Sequence, residues 1–322
     1  AEPGRLMYCV HSTPVFNSNG YSTRTMGIAS GMKEAGIDLH VVARPGYPWD
    51  TKADKKVPAQ QRYETQVKGT SYVHRPGVSI ERTPLDHYIL GAADSYVQEA
   101  LLQRPSMIQA ASNFITAMPA LIAARRLGIP FVYEVRGLWE ITEASKKADG
   151  WKDTERHALT LQMETTVARE ADYVLAITPQ VRDVLVERGI PQDKIAVVPN
   201  GVDPNQFLPL PKDTKFAKSR KISRLKPVIG FAGSMVEYEG LQTLLEASQI
   251  LTERDIDHQV VIAGSGNAAA GLKAQAKKLG NTKALFLGRL PIATMPRLMS
   301  TFDIVACPRL SQEVTELVSP LK

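Results

Sequence analysis

Short apolar, β-branched runs alternate with segments of helical period along almost the whole of this 322-residue chain, and the alternation leaves few folds open. Consecutive parallel strands need a crossover of a dozen residues or more, and crossover helices cover both faces of the sheet they serve. The pattern therefore predicts βα units on parallel sheets, an α/β class. In the first half it predicts strands over 5–11, 39–44, 106–111, 131–135, 173–178 and 195–199, with a weaker one near 79–83. Helices are predicted over 22–35, 89–103, 115–127, 152–170 and 179–188. Thr178 followed by Pro179 suits an N-cap and a first helical position, which sharpens the start of the last of these.

The stretch PNGVDPNQFLPLPKD (199–213) is rich in proline and aspartate, and the βα pattern starts afresh after it. Strands are predicted over 228–233, 259–264, 284–288 and 303–308, and helices over 240–253, 268–279 and 293–300. The chain is thus expected to divide into a domain over 1–205, a linker over 206–226 and a second domain over 227–322. Both should be Rossmann-like and doubly wound, facing each other across a cleft, with ligands at the carboxyl ends of the strands. The second series has four strands and no closing helix, so the second domain is expected to be incomplete in this chain.

Composition excludes several classes. With 43% hydrophobic and 22% charged residues the chain is globular rather than disordered. Its longest strongly apolar segment, 114–124, is interrupted by Pro119 and falls well short of the roughly 20 residues that span a bilayer. The first residues show no charged-then-apolar leader pattern, so the chain is expected in the cytoplasm or with a leader removed. Cys9 and Cys307 stand in separate apolar runs and read as reduced core residues. The net charge of +6 is spread out; the basic run KFAKSRKISRLK (215–226) reads as a solvated linker or as a segment drawn to an anionic membrane surface or acidic substrate. It lacks the aromatic partners and motifs of a nucleic-acid binder, and none is expected as a partner. The six histidines are not spaced as metal ligands, so no metal site is expected. Gly-x-Ser-x-Gly and Walker patterns are absent, and Gly264 and Gly266 lack the third glycine of a dinucleotide fingerprint.

Polar loops follow the predicted strands one after another. Asn17-Ser18-Asn19-Gly20-Tyr21-Ser22 leads into the first helix, where free N–H groups could meet a phosphate or a hydroxyl-rich ligand. Arg136-Gly137-Leu138-Trp139-Glu140 gathers a cation, an aromatic platform and a carboxylate; its alternative reading is a buried ion pair beside a core tryptophan. In the second half Gly233-Ser234, Gly264-Ser265-Gly266, Gly288-Arg289 and Glu313 with Glu316 come after successive strands, and Gly240 restarts the chain as a helix. On one rim such loops favour a polyhydroxylated, phosphorylated ligand.

The order of these motifs resembles the family-4 retaining glycosyltransferases of the GT-B fold. The resemblance rests on the glycine loop after strand one, YVLAITPQVRDVLVERGIPQDKIAVVPNGVDPNQF (173–207), the Gly-Ser strand end with YEGLQTLLEA, and the VVIAGSG and FLGRLP elements. It covers nearly the whole chain. It implies transfer of a sugar from a nucleotide-diphosphate donor to a saccharide or lipid-linked acceptor, without a metal or other cofactor. It places Gly20, Gly233, Ser234, Gly240, Gly264, Gly266, Arg289, Arg309 and Lys322 on the donor side, and Asn17, Asn19, Tyr21, Ser22 and Trp139 on the acceptor side. Arg136, Glu140, Glu313 and Glu316 become the candidates at the reacting centre, one of the last two standing for the first glutamate of a paired-glutamate motif. Many relatives carry an arginine after the first glycine of the donor loop and a lysine before the second, whereas this chain has Ser234 and Glu239 and so resembles a subgroup with a Tyr-Glu-Gly helix start. A glutamate repels a diphosphate, so the neutralising cation is expected from Arg289, Arg309, Lys322 or Arg136. By the same resemblance the chain would serve surface-polysaccharide synthesis, in contact with the inner face of the cell membrane. A nucleotide-sugar epimerase, a phosphorylase and a non-catalytic nucleotide-sugar binding domain share the fold and stay open as alternatives.

Overall fold

Strands buried on both faces are the ones the apolar runs identify most directly, and they form the centre of each sheet. The computed structural model describes residues 1–17, 19–50, 60–147, 150–206 and 208–320. The chain divides into two units, Ala1–Gly201 with Glu316–Ser319, and Val202–Thr315 with the final residues.

The first unit runs β1 (Glu2–Val10), α1 (Gly20–Glu34), β2 (Asp38–Ala43), β3 (Tyr63–Val67), β4 (Thr70–His74), α2 (Leu85–Gln103), β5 (Pro105–Ala111), α3 (Phe114–Leu127), β6 (Phe131–Val135), α4 (Trp139–Ala144), α5 (Glu155–Glu170), β7 (Tyr173–Ala176), α6 (Pro179–Glu187) and β8 (Ile195–Val197). Among the described residues its sheet has the order β3-β4-β2-β1-β5-β6-β7-β8 and is parallel except for β3, which pairs antiparallel with β4. Leu6 to Val10 of β1 are all buried, as a central strand covered on both faces must be. Strand order reverses at β1, which has β2 on one side and β5 on the other.

The expected strand at 79–83 is a turn, closed by the Thr83 N–H donating to the Ser79 carbonyl (3.0 Å). The edge is instead the β3–β4 hairpin. Its turn, Lys68-Gly69, has φ of 48° and 73°, the left-handed pair that matches the twist of the flanking strands.

The second unit runs α7 (Thr214–Ser219), β9 (Val228–Ala232), α8 (Leu241–Glu253), β10 (Gln259–Ala263), α9 (Ala269–Lys278), β11 (Ala284–Gly288), α10 (Met295–Met299), β12 (Ile304–Val305) and α11 (Glu313–Leu317), whose last two residues belong to the first unit. The sheet order is β11-β10-β9-β12, all parallel, with the reversal at β9. Side chains alternate across it: Val260 and Ile262 join Phe231, Leu241, Leu245 and Leu272 on one face, while Val261 and Ala263 join Phe216, Leu298 and Phe302 on the other. The stretch expected to be a linker over 206–226 therefore contributes to a core. Asp213 caps α7 by accepting from the Phe216 N–H (2.8 Å), and Phe216, Ala217 and Ile222 are buried under β9 and β10. Its basic residues Lys215, Lys218, Arg220, Lys221 and Arg224 remain exposed.

Candidate functional site

In open parallel sheets the crevice for a ligand lies beyond the carboxyl ends of the strands where the order reverses. In the second unit that point is between β9 and β12. The loop after β9 lies main chain against main chain on the loop after β10: Gly233 N–H donates to Ala263 O (3.0 Å), Met235 N–H to Ser265 O (2.9 Å) and Ala268 N–H to Met235 O (3.1 Å). Only glycine fits so close an approach. A Cβ on Gly264, where φ is +140°, would overlap the Gly233 carbonyl oxygen, and one on Gly266 would overlap that of Met235. The glycines read as donor contacts thus have a packing role first: they let two loops share one rigid backbone surface, from which Ser234, Ser265 and Gly266 are exposed.

Gly240 answers to the same constraint on the other side. Its φ is +68°, and a Cβ would overlap the Pro308 carbonyl oxygen in the segment after β12. That segment is tied to the Tyr-Glu-Gly turn by the Leu310 N–H, which donates to Tyr238 O (3.0 Å). Arg309 stands there with its guanidinium carbon 6.0 Å from the Tyr238 ring centroid and its Nε 3.9 Å from Glu239 Oε1, both side chains largely buried. The basic residue is thus at the position where a lysine was missed, but beside a carboxylate. Arg289, next after β11, is exposed, as are Glu313 and Glu316 on α11, which fall on opposite sides of the boundary between the units. Lys322 lies outside the described residues, as does Ser18.

In the first unit the reversal is between β1 and β5, and the loop after β1 runs into α1. Asn19 caps that helix, its Oδ1 accepting from the Ser22 N–H (2.9 Å), and Gly20 begins it in the open. Asn17 N–H donates to Thr13 O (3.0 Å), which turns the loop back on itself. Ser22 is buried with its hydroxyl 3.3 Å from that of Ser12. The Tyr21 hydroxyl accepts from the His11 N–H (2.9 Å); burial, partly offset by the Arg136 charge, pushes its pKa up to about 12.

Arg136 has a different role from that of a cation held ready for a ligand. All five of its N–H groups are engaged: Nε with Glu134 Oε1 (3.0 Å), Nη1 with Tyr21 O (3.0 Å) and Thr25 Oγ1 (2.8 Å), and Nη2 with the Tyr8 hydroxyl and Glu134 Oε2 (3.2 Å). The reading as a buried ion pair holds, but its partner is Glu134, two residues back on the adjoining strand, and Tyr21 rather than the tryptophan covers it, 4.3 Å from ring centroid to guanidinium carbon. Burial alone would raise the Glu134 pKa, yet the charges of Arg136 and Arg24 outweigh it and hold the carboxyl below its ordinary range. Glu140 is likewise withdrawn from the reacting-centre role: it is buried, and Arg188 Nη2 donates to its Oε1 at 2.5 Å. Trp139 keeps part of its surface exposed.

Two residues at this rim escaped the sequence reading. Arg24, buried on α1, donates to Glu134 Oε1 (2.9 Å), to Val198 O (2.7 Å), to Pro199 O (2.9 Å) and to Asn200 Oδ1 (3.1 Å). It thereby clamps the main chain of the VPNGVD motif to the helix that follows the first loop. Asn200 in turn donates to Ser319 O (3.1 Å) and Thr178 to Leu317 O (2.6 Å), which seats residues 316–319 on the first unit. His11, the other, is the first residue after β1. The pattern could have flagged Arg24 only as a charge inside an otherwise small-residue helix, and His11 only as a titratable group at a strand end.

The topology of the two sheets and their reversal points defines the class: this is a GT-B fold. Residues 19–201 match the Glycosyl transferase 4-like domain and residues 212–316 match Glycosyl transferases group 1. The chain belongs to the glycosyl transferase 4-like family, the match covering more than half of its length. It is 27% identical over 197 residues to the 2-deoxystreptamine glucosyltransferase of Streptomyces kanamyceticus, covering 60% of this chain and 50% of that protein. The chain thus spans about half the length of such a curated relative. Among solved structures it is similar to Anabaena HepE in complex with UDP-glucose (TM-score 0.67, 17% identity, 94% of this chain and 73% of that one). It is also similar to WaaG, a glycosyltransferase involved in lipopolysaccharide biosynthesis (TM-score 0.64, 16% identity, 94% and 75%).

Proposed function

We propose that this chain moves a sugar from a nucleoside-diphosphate donor to a hydroxyl of a saccharide or lipid-linked saccharide, with retention of anomeric configuration. The observation that supports it best is the backbone surface at the β9–β12 reversal, rigid through its glycine contacts and carrying Arg309. Fixed N–H dipoles and a cation stabilise the charge that grows on a departing diphosphate, and each such donor is worth about 3 kcal/mol. UDP is the first nucleotide to test, because HepE, which shares the fold, was solved with UDP-glucose.

In this scheme the bond from the anomeric carbon to the phosphate oxygen breaks, and a bond to the acceptor oxygen forms on the same face. The hydroxyl proton passes to the leaving phosphate, so no side-chain nucleophile, resident metal or other cofactor has a part. Asn19, Tyr21 and Trp139 border the acceptor in the first unit, Gly20 lies on the donor side, and Glu313 or Glu316 meets the donor sugar. Surface-polysaccharide synthesis is the proposed setting, by likeness to WaaG. The exposed lysines and arginines of 215–224 would draw the chain to an anionic membrane face; among the described residues no helix is long and apolar enough to cross one.

The test is a panel of UDP-, GDP- and ADP-sugars with and without p-nitrophenyl glycosides as acceptors, followed by NMR of the product's anomeric proton. Nucleotide release that requires an acceptor, with the donor's anomeric configuration in the product, is the expected result. Conversion of the donor sugar without acceptor marks an epimerase, and a raised melting temperature without turnover marks a binding domain. Binding itself should be plain, since ligand at about 100 times Kd adds about 2.7 kcal/mol.

A further inference from the structure

His11 has chemistry that the site described above leaves unused. It is the first residue beyond β1, at the point where strand order reverses in the first unit, and it keeps part of its surface exposed. Its ring is met edge-on by Tyr21 (centroids 6.2 Å apart, planes at 75°) and by Trp139 (6.1 Å, 85°). Thr116 Oγ1, in the first turn of α3, lies 3.5 Å from Nδ1. Nε2 makes no hydrogen bond to another described residue, and part of the residue's surface stays open.

The protein around the ring disfavours its charged form, and the nearby Arg44 guanidinium disfavours it further; together they push the pKa down to about 3. A neutral imidazole brings no positive charge to a pyrophosphate. It suits a hydroxyl, which can give or take a hydrogen bond and so meets Nε2 in either tautomer. Aromatic rings beside such a group suit the C–H faces of a sugar, apolar on one side and polar at the rim.

We propose that His11 Nε2 hydrogen-bonds a hydroxyl of the acceptor saccharide while Trp139 lies beside the sugar ring. The proposal rests on the transferase reading, but its test separates the two. Protein labelled with 15N-histidine is titrated with UDP alone and then with p-nitrophenyl glucoside, galactoside and mannoside. A glycoside should move the His11 Nε2 resonance, and UDP alone should not. His11→Phe should weaken binding of that glycoside roughly tenfold, as loss of one hydrogen bond to a ligand does, and leave UDP affinity unchanged, which also shows that the variant is folded. His11→Gln, which sets an amide near the Nε2 position, should recover most of the loss. A His11 signal indifferent to every glycoside, or moved by UDP alone, overturns the proposal; so does glycoside affinity equal in the Phe variant and the wild type. Glycoside-dependent shifts in a protein that binds no nucleotide would instead uphold His11 and overturn the donor reading.

Discussion

Arg309 and Glu239 stand side by side at the carboxyl end of β9, 3.9 Å apart, where the guanidinium also faces the Tyr238 ring. One charge attracts a diphosphate and the other repels it, so substitutions at the two positions should act in opposite directions. Arg309→Gln should weaken UDP binding and Glu239→Gln should tighten it, each by about 1 kcal/mol, roughly fivefold in Kd. Isothermal titration on the two single variants checks the signs. Equal effects of the same sign would show that the diphosphate binds elsewhere.

Taking one cation from a buried cluster weakens the hold on the charge that remains. Arg136→Met takes one of the two guanidinium partners from Glu134, leaving Arg24, together with three further hydrogen bonds, and should cost about 3 kcal/mol in urea unfolding. Arg182→Met, which breaks the exposed Arg182–Asp183 pair at 2.7 Å, should change stability by less than about 1 kcal/mol.

Glu164 gives the fold a pH dependence of its own. It is buried, accepting from Tyr133 OH and the Phe114 N–H (2.9 Å), and burial outweighs these bonds to push its pKa up to about 7. A carboxyl whose pKa is higher folded than unfolded holds its proton better in the native state. Its contribution is therefore fully favourable below the unfolded pKa near 4.5 and is lost as pH rises towards 7. Glu164→Gln should flatten that slope. Unfolding free energies measured at pH 4.5 and pH 7.5 should shift in the variant's favour by about 3 kcal/mol between the two. A constant difference across the range would mean that Glu164 ionises normally in the folded protein.

Two glycines offer a matched comparison. Gly264→Ala forces a Cβ onto the Gly233 carbonyl and should destabilise the second unit by more than about 2 kcal/mol, with loss of nucleotide binding. Gly271, within α9, has nothing within 4 Å of an added Cβ, so Gly271→Ala should stabilise by about 0.5–1 kcal/mol. Thermal melts and UDP titrations on both variants check the contrast.

Much of the fold was legible because parallel strands buried on both faces carry an unbroken apolar run, as Leu6 to Val10 and Val260 to Ala263 do. The β3–β4 hairpin was not, since an edge hairpin is half polar and its only plain signal is Lys68-Gly69. Residues 214–222 were read as linker because the lysines dominate the stretch, while the contact with the core is made by Phe216, Ala217 and Ile222 alone. For the site, sequence located the loops but not the partners within them. Arg136 looked available because nothing local shows that Glu134, Tyr21, Thr25 and Tyr8 consume its donors. Arg24 meets Glu134 across 110 positions, a distance at which no pattern in one chain speaks.

Glu134 lies between two guanidinium groups, and the remaining donors of Arg24 grip the backbone at 198 and 199 and the side chain of Asn200. Losing Glu134 alone would leave two cations facing each other in the interior, whereas losing either arginine still leaves the carboxylate one guanidinium. Glu134 is thus the member on which both arginines, and through Arg24 the main chain at 198 and 199, depend.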